Sequence, residues 1–400
     1  MHKVFATLLL IGSAACSGSG AGSTGGSGAS AGATSGGLSG IGGAVGGAMS
    51  AGGTGGTVAS SGTGGLVTGG AGGVVPKGAR LFGIDTQAAS DNDYDKALTV
   101  AQSAGIEFVS LTVLWEQMET TPGVFNPAFN ALAISEAYYP ARNLRIGLSI
   151  ASPLDTNGRH LPADLATLPL DDPQVIARFK QFVDWAFAQI PTLGLVYISI
   201  GNEVDSPLGA NPTEWGRYTT FFNAVAPYVR AKRPGVPVGT KMQFSGLTGA
   251  DSSLAQAHNT NADGVFVNHY PLQGDFQVRA PDVINGDMDA LVALYPGRRI
   301  FFTELGYPSS PACSSSENLQ RDFYLQVFRA WDARTGSIGL IQIDWLHDIA
   351  PAKIDEFTLY YGLATAGFKG YLGSLGIRTY DGVDKPAFVT VKAEAALRGW

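Results

Sequence analysis

The feature that most constrains the fold is a series of eight short apolar runs, each followed by an amphipathic stretch or a loop. Runs of this length, rich in β-branched and aromatic residues, are typical of buried strands. Alternating strands and helices predict a parallel sheet covered by helices, and eight repeats favour a closed barrel over an open doubly wound sheet. We therefore predict an α/β protein with a single (β/α)8 TIM barrel. The predicted strands lie near 80–86, 108–115, 145–152, 196–203, 238–244, 264–270, 300–304 and 338–345.

Amphipathic stretches between these runs supply the predicted helices. They span residues 95–103, 172–190, 212–232 and 317–334. The second has Pro173 near its start and an apolar stripe at helical spacing, as expected for a helix that packs on a sheet. No glycine-rich phosphate loop follows the first strand, where Phe82 to Asp85 runs straight on. This disfavours a nucleotide-binding fold.

Residues 1–16 have the pattern of an export signal. A basic residue, Lys3, precedes a short apolar stretch from Val4 to Gly12 and then small residues. The apolar stretch is too short to span a membrane. The small residues before Cys16 resemble a bacterial lipobox, although Ser13 stands where leucine is usual. That resemblance implies cleavage before Cys16 and lipid attachment to its thiol; the alternative is an ordinary signal cleaved nearby.

The next segment, 17–77, has the composition of a linker. It consists mainly of Gly, Ser, Ala and Thr, with no aromatic residue and no charge before Lys77. Such a chain cannot bury enough apolar surface to fold, so we predict a disordered linker. As a flexible coil it would span roughly 40–47 Å, enough to hold a domain away from a membrane. The alternative is a spacer in a freely secreted protein.

Residues 78–400 have a globular composition and are long enough for one barrel domain. Cys313 is the only cysteine besides Cys16, so this domain has no internal disulfide available and its stability must come from the core. The net charge is −7 and no basic stripe is present, which makes nucleic acid an unexpected partner. No cluster of His, Asp and Glu residues has the spacing of metal ligands, and no Gly-x-Ser-x-Gly motif occurs. We predict a monomer without metal or cofactor.

Two of the apolar runs end in a glutamate. These are VYISIGNE, which ends at Glu203 in the fourth predicted strand, and RIFFTE, which ends at Glu304 in the seventh. Barrel enzymes carry their catalytic residues at the carboxyl ends of the strands, so the two side chains are expected to meet in one pocket. Two carboxyl groups around a scissile bond are what glycoside hydrolysis requires.

The asparagine before Glu203 and the strand positions of both glutamates resemble the clan A glycoside hydrolases, a superfamily of retaining (β/α)8 glycosidases. In that clan the acid/base glutamate follows an asparagine at the end of strand four, and the nucleophilic glutamate ends strand seven. The resemblance covers 78–400. It implies that Glu203 is the acid/base and Glu304 the nucleophile, and it leaves the family within the clan unassigned.

Further motifs fit this resemblance. The sequence WEQMETTPGVF, from Trp115 to Phe125, is similar to a loop of the clan after strand two, in which Trp115 and Glu119 are expected to hold the loop. Four residues are candidate substrate contacts: Asn202, His269, Tyr270 and Trp345.

The candidate substrate contacts have expected roles, and two of them also have an alternative. Asn202 is expected to donate to the sugar 2-hydroxyl, Tyr270 to hydrogen-bond the nucleophile, and Trp345 to form the floor of the sugar site. Tyr270 has packing as its alternative, and His269 is expected to be structural rather than a catalytic base, because two glutamates already suffice. Three further residues near strand ends either line sugar subsites or are solvated loop residues: Asp85, Lys241 and Gln243.

The segment 348–378, after the last strand, is rich in aromatic residues and glycine. A long loop at the catalytic face of a barrel is usually functional, so this segment is expected to wall the sugar cleft. The alternative is a packed lid over the barrel edge.

Taken together, these patterns and the resemblance imply an exported retaining glycosidase that cleaves β-linkages of a polysaccharide or oligosaccharide. Its location is either the cell envelope, as a lipoprotein in the periplasm or on the outer surface, or the medium. A catalytically inactive carbohydrate-binding barrel lipoprotein is the alternative; loss of one glutamate would have marked it, and both are present.

Overall fold

The structure, a computed structural model, describes residues 73–400. The predicted signal, Cys16 and the linker up to residue 72 lie outside the described residues. A parallel sheet forms the centre of this part of the chain. We number its strands by barrel position: β1 Leu81–Ile84, β2 Phe108–Val113, β3 Arg145–Ile150, β4 Leu195–Ile200, β5 in two segments (Val238–Gly239 and Lys241–Gln243), β6 Val265–His269, β7 Ile300–Leu305 and β8 Ile338–Ile343.

The two segments of β5 connect the ends of the sheet. The first pairs with β4 and the second with β6, while β8 pairs with β1. Every neighbouring pair in this order is parallel, so eight strand positions follow one another around a barrel. The predicted TIM-barrel fold is confirmed.

Thirteen α-helices lie between and after these strands in the described residues. They are α1 Tyr94–Gln102, α2 Trp115–Met118, α3 Ala131–Tyr138, α4 Pro173–Gln189, α5 Asp205–Leu208, α6 Pro212–Lys232, α7 Phe244–Thr248, α8 Ser252–Asn259, α9 Val283–Leu294, α10 Glu317–Asp332, α11 Pro351–Tyr361, α12 Ala366–Leu372 and α13 Pro386–Arg398. Within residues 73–400, none of them has the length and apolar character needed to cross a membrane.

The start of α6 shows how the local sequence sets a helix boundary. Asn211 caps the first turn by accepting from the backbone N–H groups of Thr213 and Glu214, and Pro212 occupies the first helical position. An asparagine cap satisfies backbone donors that have no partner within the helix, and proline has no N–H to leave unpaired there. The predicted helix 212–232 therefore begins where its sequence signals lie.

Large rings fill part of the barrel interior. Phe108, Tyr197, Phe266 and Phe301 form one buried cluster with Val196 and Leu340. Glycines on the neighbouring strands make room for them: a Cβ at Gly83 would collide with the ring of Phe108, and one at Gly147 with the ring of Tyr197. The interior below the carboxyl ends of the strands is thus a packed core, which gives the site above it a rigid base.

The segment 348–378 differs from the predicted long loop, because it contains helices α11 and α12. Pro351 occupies the first turn of α11, and Gly362 ends it in the left-handed conformation with φ of 66°. Thr365 then caps α12 by accepting from the N–H of Phe368. Proline at a helix start and glycine at its end are standard boundary signals. The prediction of a loop had relied on the aromatic and glycine content of the segment instead.

The loop after β2 is held by one buried carboxylate. Glu119 accepts hydrogen bonds from the indole N–H of Trp115 at 2.6 Å, from the N–H of Gly123 at 2.6 Å and from Nε of Arg178 at 2.5 Å. Trp115 itself is fully buried and packs on Phe179 with ring centroids 5.3 Å apart. These contacts show Trp115 and Glu119 holding the loop.

We expect Glu119→Ala to lower the free energy of unfolding by about 3 kcal/mol, because it leaves an indole N–H, a backbone N–H and a guanidinium without their acceptor. Urea denaturation followed by tryptophan fluorescence would measure the change. Asp164→Ala is the matched control, since Asp164 makes a more exposed contact, 3.2 Å, with the same Arg178. It should cost less than about 1 kcal/mol. Equal losses in the two variants would contradict this role of Glu119.

Candidate active site

The carboxyl ends of the strands surround a cavity of about 880 Å³, which we call the central cavity. TIM-barrel enzymes carry their active sites at this face. Eight residues named from the sequence line it: Asp85, Asn202, Glu203, Gln243, His269, Tyr270, Glu304 and Trp345. The fold therefore brings both glutamates and all four candidate substrate contacts to one site.

The sequence predicts that Glu203 ends strand β4. In the structure Glu203 instead follows the strand on a tight turn. The strand ends at Ile200, and both Gly201 (φ 81°) and Glu203 (φ 45°) are left-handed. Gly201 is required there, because a Cβ would also collide with Val204 and the hydroxyl of Tyr218. For a glutamate this conformation costs on the order of 1–2 kcal/mol. Strain of this kind persists where the surrounding structure fixes it, and it clusters at functional sites.

Three side chains hold the carboxyl group of Glu203. Thr156 Oγ1 and Gln243 Nε2 each donate to Oε2 at 2.9 Å, and Asn268 Nδ2 donates to Oε1 at 3.2 Å. Burial, followed by the negative charge of Glu304, raises the pKa of Glu203 to about 7. The side chain can therefore hold a proton near neutral pH and give it to a leaving group.

Glu304 lies within strand β7 in a different environment. Lys241 Nζ donates to its Oε1 at 3.1 Å, and Tyr270 Oη donates to its Oε2 at 3.0 Å. Lys241 is almost fully buried, and Glu304 is the carboxylate with which it makes an ion pair. An ammonium group and a phenol hydroxyl both stabilise an anionic carboxylate, as a nucleophile requires.

A β-bulge adjusts the position of Glu304. The register between β6 and β7 shifts after Val267, so that Asn268 lies opposite Glu304. Bulges of this kind redirect side chains beside active sites. As a result, the adjacent strands β6 and β7 place two residues at the same level of the barrel: Asn268, which bonds Glu203, and Glu304.

Asp344, directly after β8, contacts the same Tyr270 hydroxyl that bonds Glu304. Its Oδ2 lies 3.1 Å from Tyr270 Oη, and its Oδ1 accepts from Gln342 Nε2 at 3.1 Å. Burial, followed by the charges of Glu304 and Asp85, raises the pKa of Asp344 well above its usual range. A protonated Asp344 can donate to Tyr270 Oη, which leaves the single hydroxyl proton of Tyr270 for Glu304.

Asp85 is a second buried aspartate at this end of the barrel. Its Oδ1 accepts from Ser110 Oγ at 3.0 Å. Burial is the main reason why the pKa of Asp85 rises to about 7, and the charge of Glu304 adds to it. Of the three residues left open between a subsite and a solvated loop, Asp85 and Gln243 line the cavity and Lys241 is paired with Glu304.

Asn202 is oriented by two bonds. Its Nδ2 donates to Asp155 Oδ1 at 2.8 Å, and its Oδ1 accepts from Asn268 Nδ2 at 3.2 Å. A carboxamide has two N–H donors, so one N–H of Asn202 stays available to a ligand in the cavity.

His269 and Trp345 both line the cavity, but in different ways. His269 is buried, its Nε2 lies 2.9 Å from Asp287 Oδ2, and its ring lies against Phe244 with centroids 4.3 Å apart. Burial lowers the pKa of His269 despite this carboxylate. These contacts favour a structural role for His269. Trp345 is partly exposed, and its ring is nearly parallel to that of Phe357.

Helices α11 and α12 form an aromatic wall on one side of the central cavity. Four of their aromatic residues line it: Phe357, Tyr361, Phe368 and Tyr371. The ring of Tyr371 meets that of Tyr270 edge-on at 5.4 Å, which connects the wall to the hydrogen-bond partner of Glu304. Aromatic faces of this kind suit the C–H faces of sugars.

The sequence did not single out three of the polar residues of the site: Thr156, Asp155 and the bridging Asn268. Alternation along β6 would have placed Asn268 on the same side of the strand as Tyr270. Thr156 and Asp155 belong to a short hairpin, Leu154–Asp155 with Gly158–Arg159, for which no sequence pattern was available.

No protein-family model matches the sequence, and no curated protein matches it. The structure, in contrast, matches solved glycoside hydrolases. A variant GH5_18 protein from Streptomyces cattleya, in complex with Manβ1-4GlcNAc, has a TM-score of 0.61 at 16% identity, with 79% of this chain and 80% of that chain covered. An exo-β-1,4-mannosidase from Opitutaceae bacterium strain TAV5 has a TM-score of 0.61 at 14% identity, with 79% and 59% covered.

A family 39 glycoside hydrolase from Bacteroides cellulosilyticus WH2 also matches, with a TM-score of 0.56 at 13% identity, and with 80% of this chain and 65% of that chain covered. At such identities a likeness concerns the fold and does not select one family. The described part of the chain therefore has the (β/α)8 fold found in these glycoside hydrolases, with the buried Glu203 and the partly buried Glu304 at the carboxyl ends of its strands.

Proposed function

We propose that the protein is a retaining glycosidase that hydrolyses β-glycosidic bonds of a polysaccharide or oligosaccharide. The observation that carries this proposal is the contrast between two glutamates in one cavity. Glu203 is buried, with a pKa raised to about 7, whereas Glu304 is paired with Lys241 and Tyr270. Two carboxyl groups with opposite protonation requirements are what double displacement needs.

In the first step, the carboxylate of Glu304 attacks the anomeric carbon while Glu203 gives its proton to the departing glycosidic oxygen. A covalent glycosyl–enzyme ester forms and the aglycone leaves. In the second step, Glu203 removes a proton from water, which attacks the same carbon and releases Glu304. Two inversions at one carbon give net retention of configuration.

The remaining side chains would bind and orient the sugar. The free N–H of Asn202 would donate to the 2-hydroxyl, a contact that strengthens in the transition state. Trp345 and the aromatic wall would lie against the C–H faces of the sugar rings. The Manβ1-4GlcNAc complex of the Streptomyces cattleya protein supports a carbohydrate as the ligand of this fold.

An inactive carbohydrate-binding barrel is not favoured. Such a protein has no need to maintain a raised pKa on one carboxyl group and an ion pair on the other, and both glutamates are present. Screening the purified protein against plant and microbial glycans would test for activity. Proton NMR of the first-formed product would show its anomeric configuration. Binding without cleavage of any bound glycan would contradict the proposal, and an inverted product would exclude double displacement.

Export and membrane attachment through Cys16 form a separate part of the proposal. The small residues before Cys16 and the glycine-rich tract after it support a lipidated amino terminus that tethers the barrel. Mass spectrometry of the native amino terminus would decide this. A mature chain that begins beyond Cys16 and is released without detergent would exclude the anchor and leave the enzymatic proposal intact.

The proposed acid role predicts the pH dependence of the reaction. Because Glu203 must be protonated in the first step, kcat/KM for a substrate with a poor leaving group should fall about tenfold per pH unit above about pH 7. A dinitrophenyl glycoside, whose leaving group needs no proton, should lose this alkaline decline in the first step. Stopped-flow measurement of dinitrophenol release would test it. The same alkaline decline with both substrates would assign the titration to another group.

A further inference from the structure

A chain of hydrogen bonds connects helix α11 with the acid/base side of the central cavity. It begins at Tyr360, whose hydroxyl donates to Asp155 Oδ2 at 2.8 Å across 205 residues of sequence. Tyr360 does not line the cavity, unlike its neighbour Tyr361. Its hydroxyl therefore acts on the site through Asp155.

Asp155 is buried and uses both carboxylate oxygens. While Oδ2 accepts from Tyr360, Oδ1 accepts from Asn202 Nδ2 at 2.8 Å and from the backbone N–H of Thr156 at 2.8 Å. A carboxylate held at both oxygens has little rotational freedom. The orientation of Asp155 in turn decides which way the Asn202 amide points, and Asp155 Oδ1 also lies 3.3 Å from Thr156 Oγ1.

Both of these residues act directly on the proposed chemistry. Thr156 Oγ1 donates to Glu203 Oε2 at 2.9 Å. Asn202 keeps one N–H for a ligand only while its other N–H is bound to Asp155 and its Oδ1 accepts from Asn268. The same Asn268 amide also bonds Glu203 Oε1, so the chain reaches the acid/base carboxyl by two routes.

We propose that Tyr360 is a positioning residue for catalysis: its hydroxyl fixes Asp155, which aims Asn202 at the sugar 2-hydroxyl and Thr156 at Glu203. This inference rests on the proposed glycosidase function. It gives helix α11, in the segment after β8, a role beyond forming the aromatic wall. The position of α11 then determines the geometry of the turn that follows β4.

The variant Tyr360→Phe removes the hydroxyl and keeps the ring, including its near-parallel arrangement with His160. We expect kcat to fall about tenfold with little change in KM, because the contact to the 2-hydroxyl strengthens only in the transition state. This is less than the roughly hundredfold loss that a 1 Å misplacement can cause. With a 2-deoxy glycoside the loss should be smaller, since the 2-hydroxyl contact is absent from the start and only the contacts with Glu203 can still be disturbed.

Leu359→Ala is the matched control on the same helix, since Leu359 is 84% exposed and should leave kcat unchanged. Three results would overturn the inference: wild-type kcat in Tyr360→Phe, an equal loss with the 2-deoxy substrate, or a loss of the same size in Leu359→Ala. A merely structural role of Tyr360 would reduce turnover of both substrates alike.

A second measurement is independent of turnover. With asparagine-selective ¹⁵N labelling of the full chain, the side-chain amide signal of Asn202, assigned from Asn202→Asp, should shift or broaden in Tyr360→Phe and not in Leu359→Ala. An unchanged signal would refute the positioning role. If no glycoside is cleaved by the wild type, the proposed function fails, and this signal still decides whether Tyr360 orders Asn202.

Discussion

Replacement of Glu304 by alanine is expected to abolish turnover, with a loss in kcat on the order of 10⁵-fold. Glu304 is the carboxylate that would bond to the anomeric carbon, and no other group in the proposed mechanism can take that role. Steady-state assays on an aryl glycoside that the wild type cleaves would measure the loss. An exposed carboxylate, Asp289, provides the matched control as Asp289→Ala and should retain full activity.

Azide should restore part of the activity of Glu304→Ala. The variant leaves a space beside the Lys241 ammonium, which attracts a small anion to the face that Glu304 had occupied. Attack from that face inverts the anomeric centre once, so the product should be the glycosyl azide of inverted configuration. A retained product, or rescue equally strong in the wild type, would contradict the assignment of Glu304.

Removing the partner of a buried lysine also threatens the fold, because breaking a buried ion pair can cost about 3–5 kcal/mol. Glu304→Gln separates the two effects, since it keeps the volume and an acceptor oxygen for Lys241, while its NH2 group can donate to Tyr270 Oη. It should melt closer to the wild type than the alanine variant and be equally inactive in the absence of azide. A folded and active Glu304→Gln would show that the carboxylate is not the nucleophile.

The sequence predicted those parts of the fold that depend on local periodicity. Buried strands in a parallel barrel are apolar on both faces, so their runs are conspicuous, and helix α6 begins at its asparagine cap and proline. The turn that carries Glu203 and the position of helix α11 could not be predicted in this way. The chain leaves strand β4 through two residues in the left-handed conformation, Gly201 and Glu203 itself. An apolar run that ends in Gly-Asn-Glu does not specify this conformation.

The supporting contacts of the site depend on tertiary structure. Asn268 bridges two residues that follow β4, and Asp155 meets a tyrosine from the far end of the barrel sequence. Nothing in a single sequence indicates which polar residue of one loop faces which residue of another. The two glutamates could be predicted because the proposed chemistry requires a pair at particular strand ends, whereas the residues that orient them are set by packing.

Replacement of Glu203 by alanine should separate the two steps of the reaction. For substrates with poor leaving groups the first step loses its acid, and we expect a loss of about 10²- to 10⁴-fold. For a dinitrophenyl glycoside the first step needs no proton and should stay fast, while the second step loses its base. The glycosyl ester on Glu304 should then accumulate, which pre-steady-state bursts and mass spectrometry of the intact protein would detect.

Azide again gives a distinctive result, because in Glu203→Ala it attacks the accumulated ester in place of water and needs no base. Two displacements at the same carbon then give a glycosyl azide of retained configuration, the opposite of the product from Glu304→Ala. The pair of products assigns each glutamate to its own face of the sugar. Identical configurations from the two variants, or equal losses for both leaving groups in Glu203→Ala, would exclude Glu203 as the acid/base.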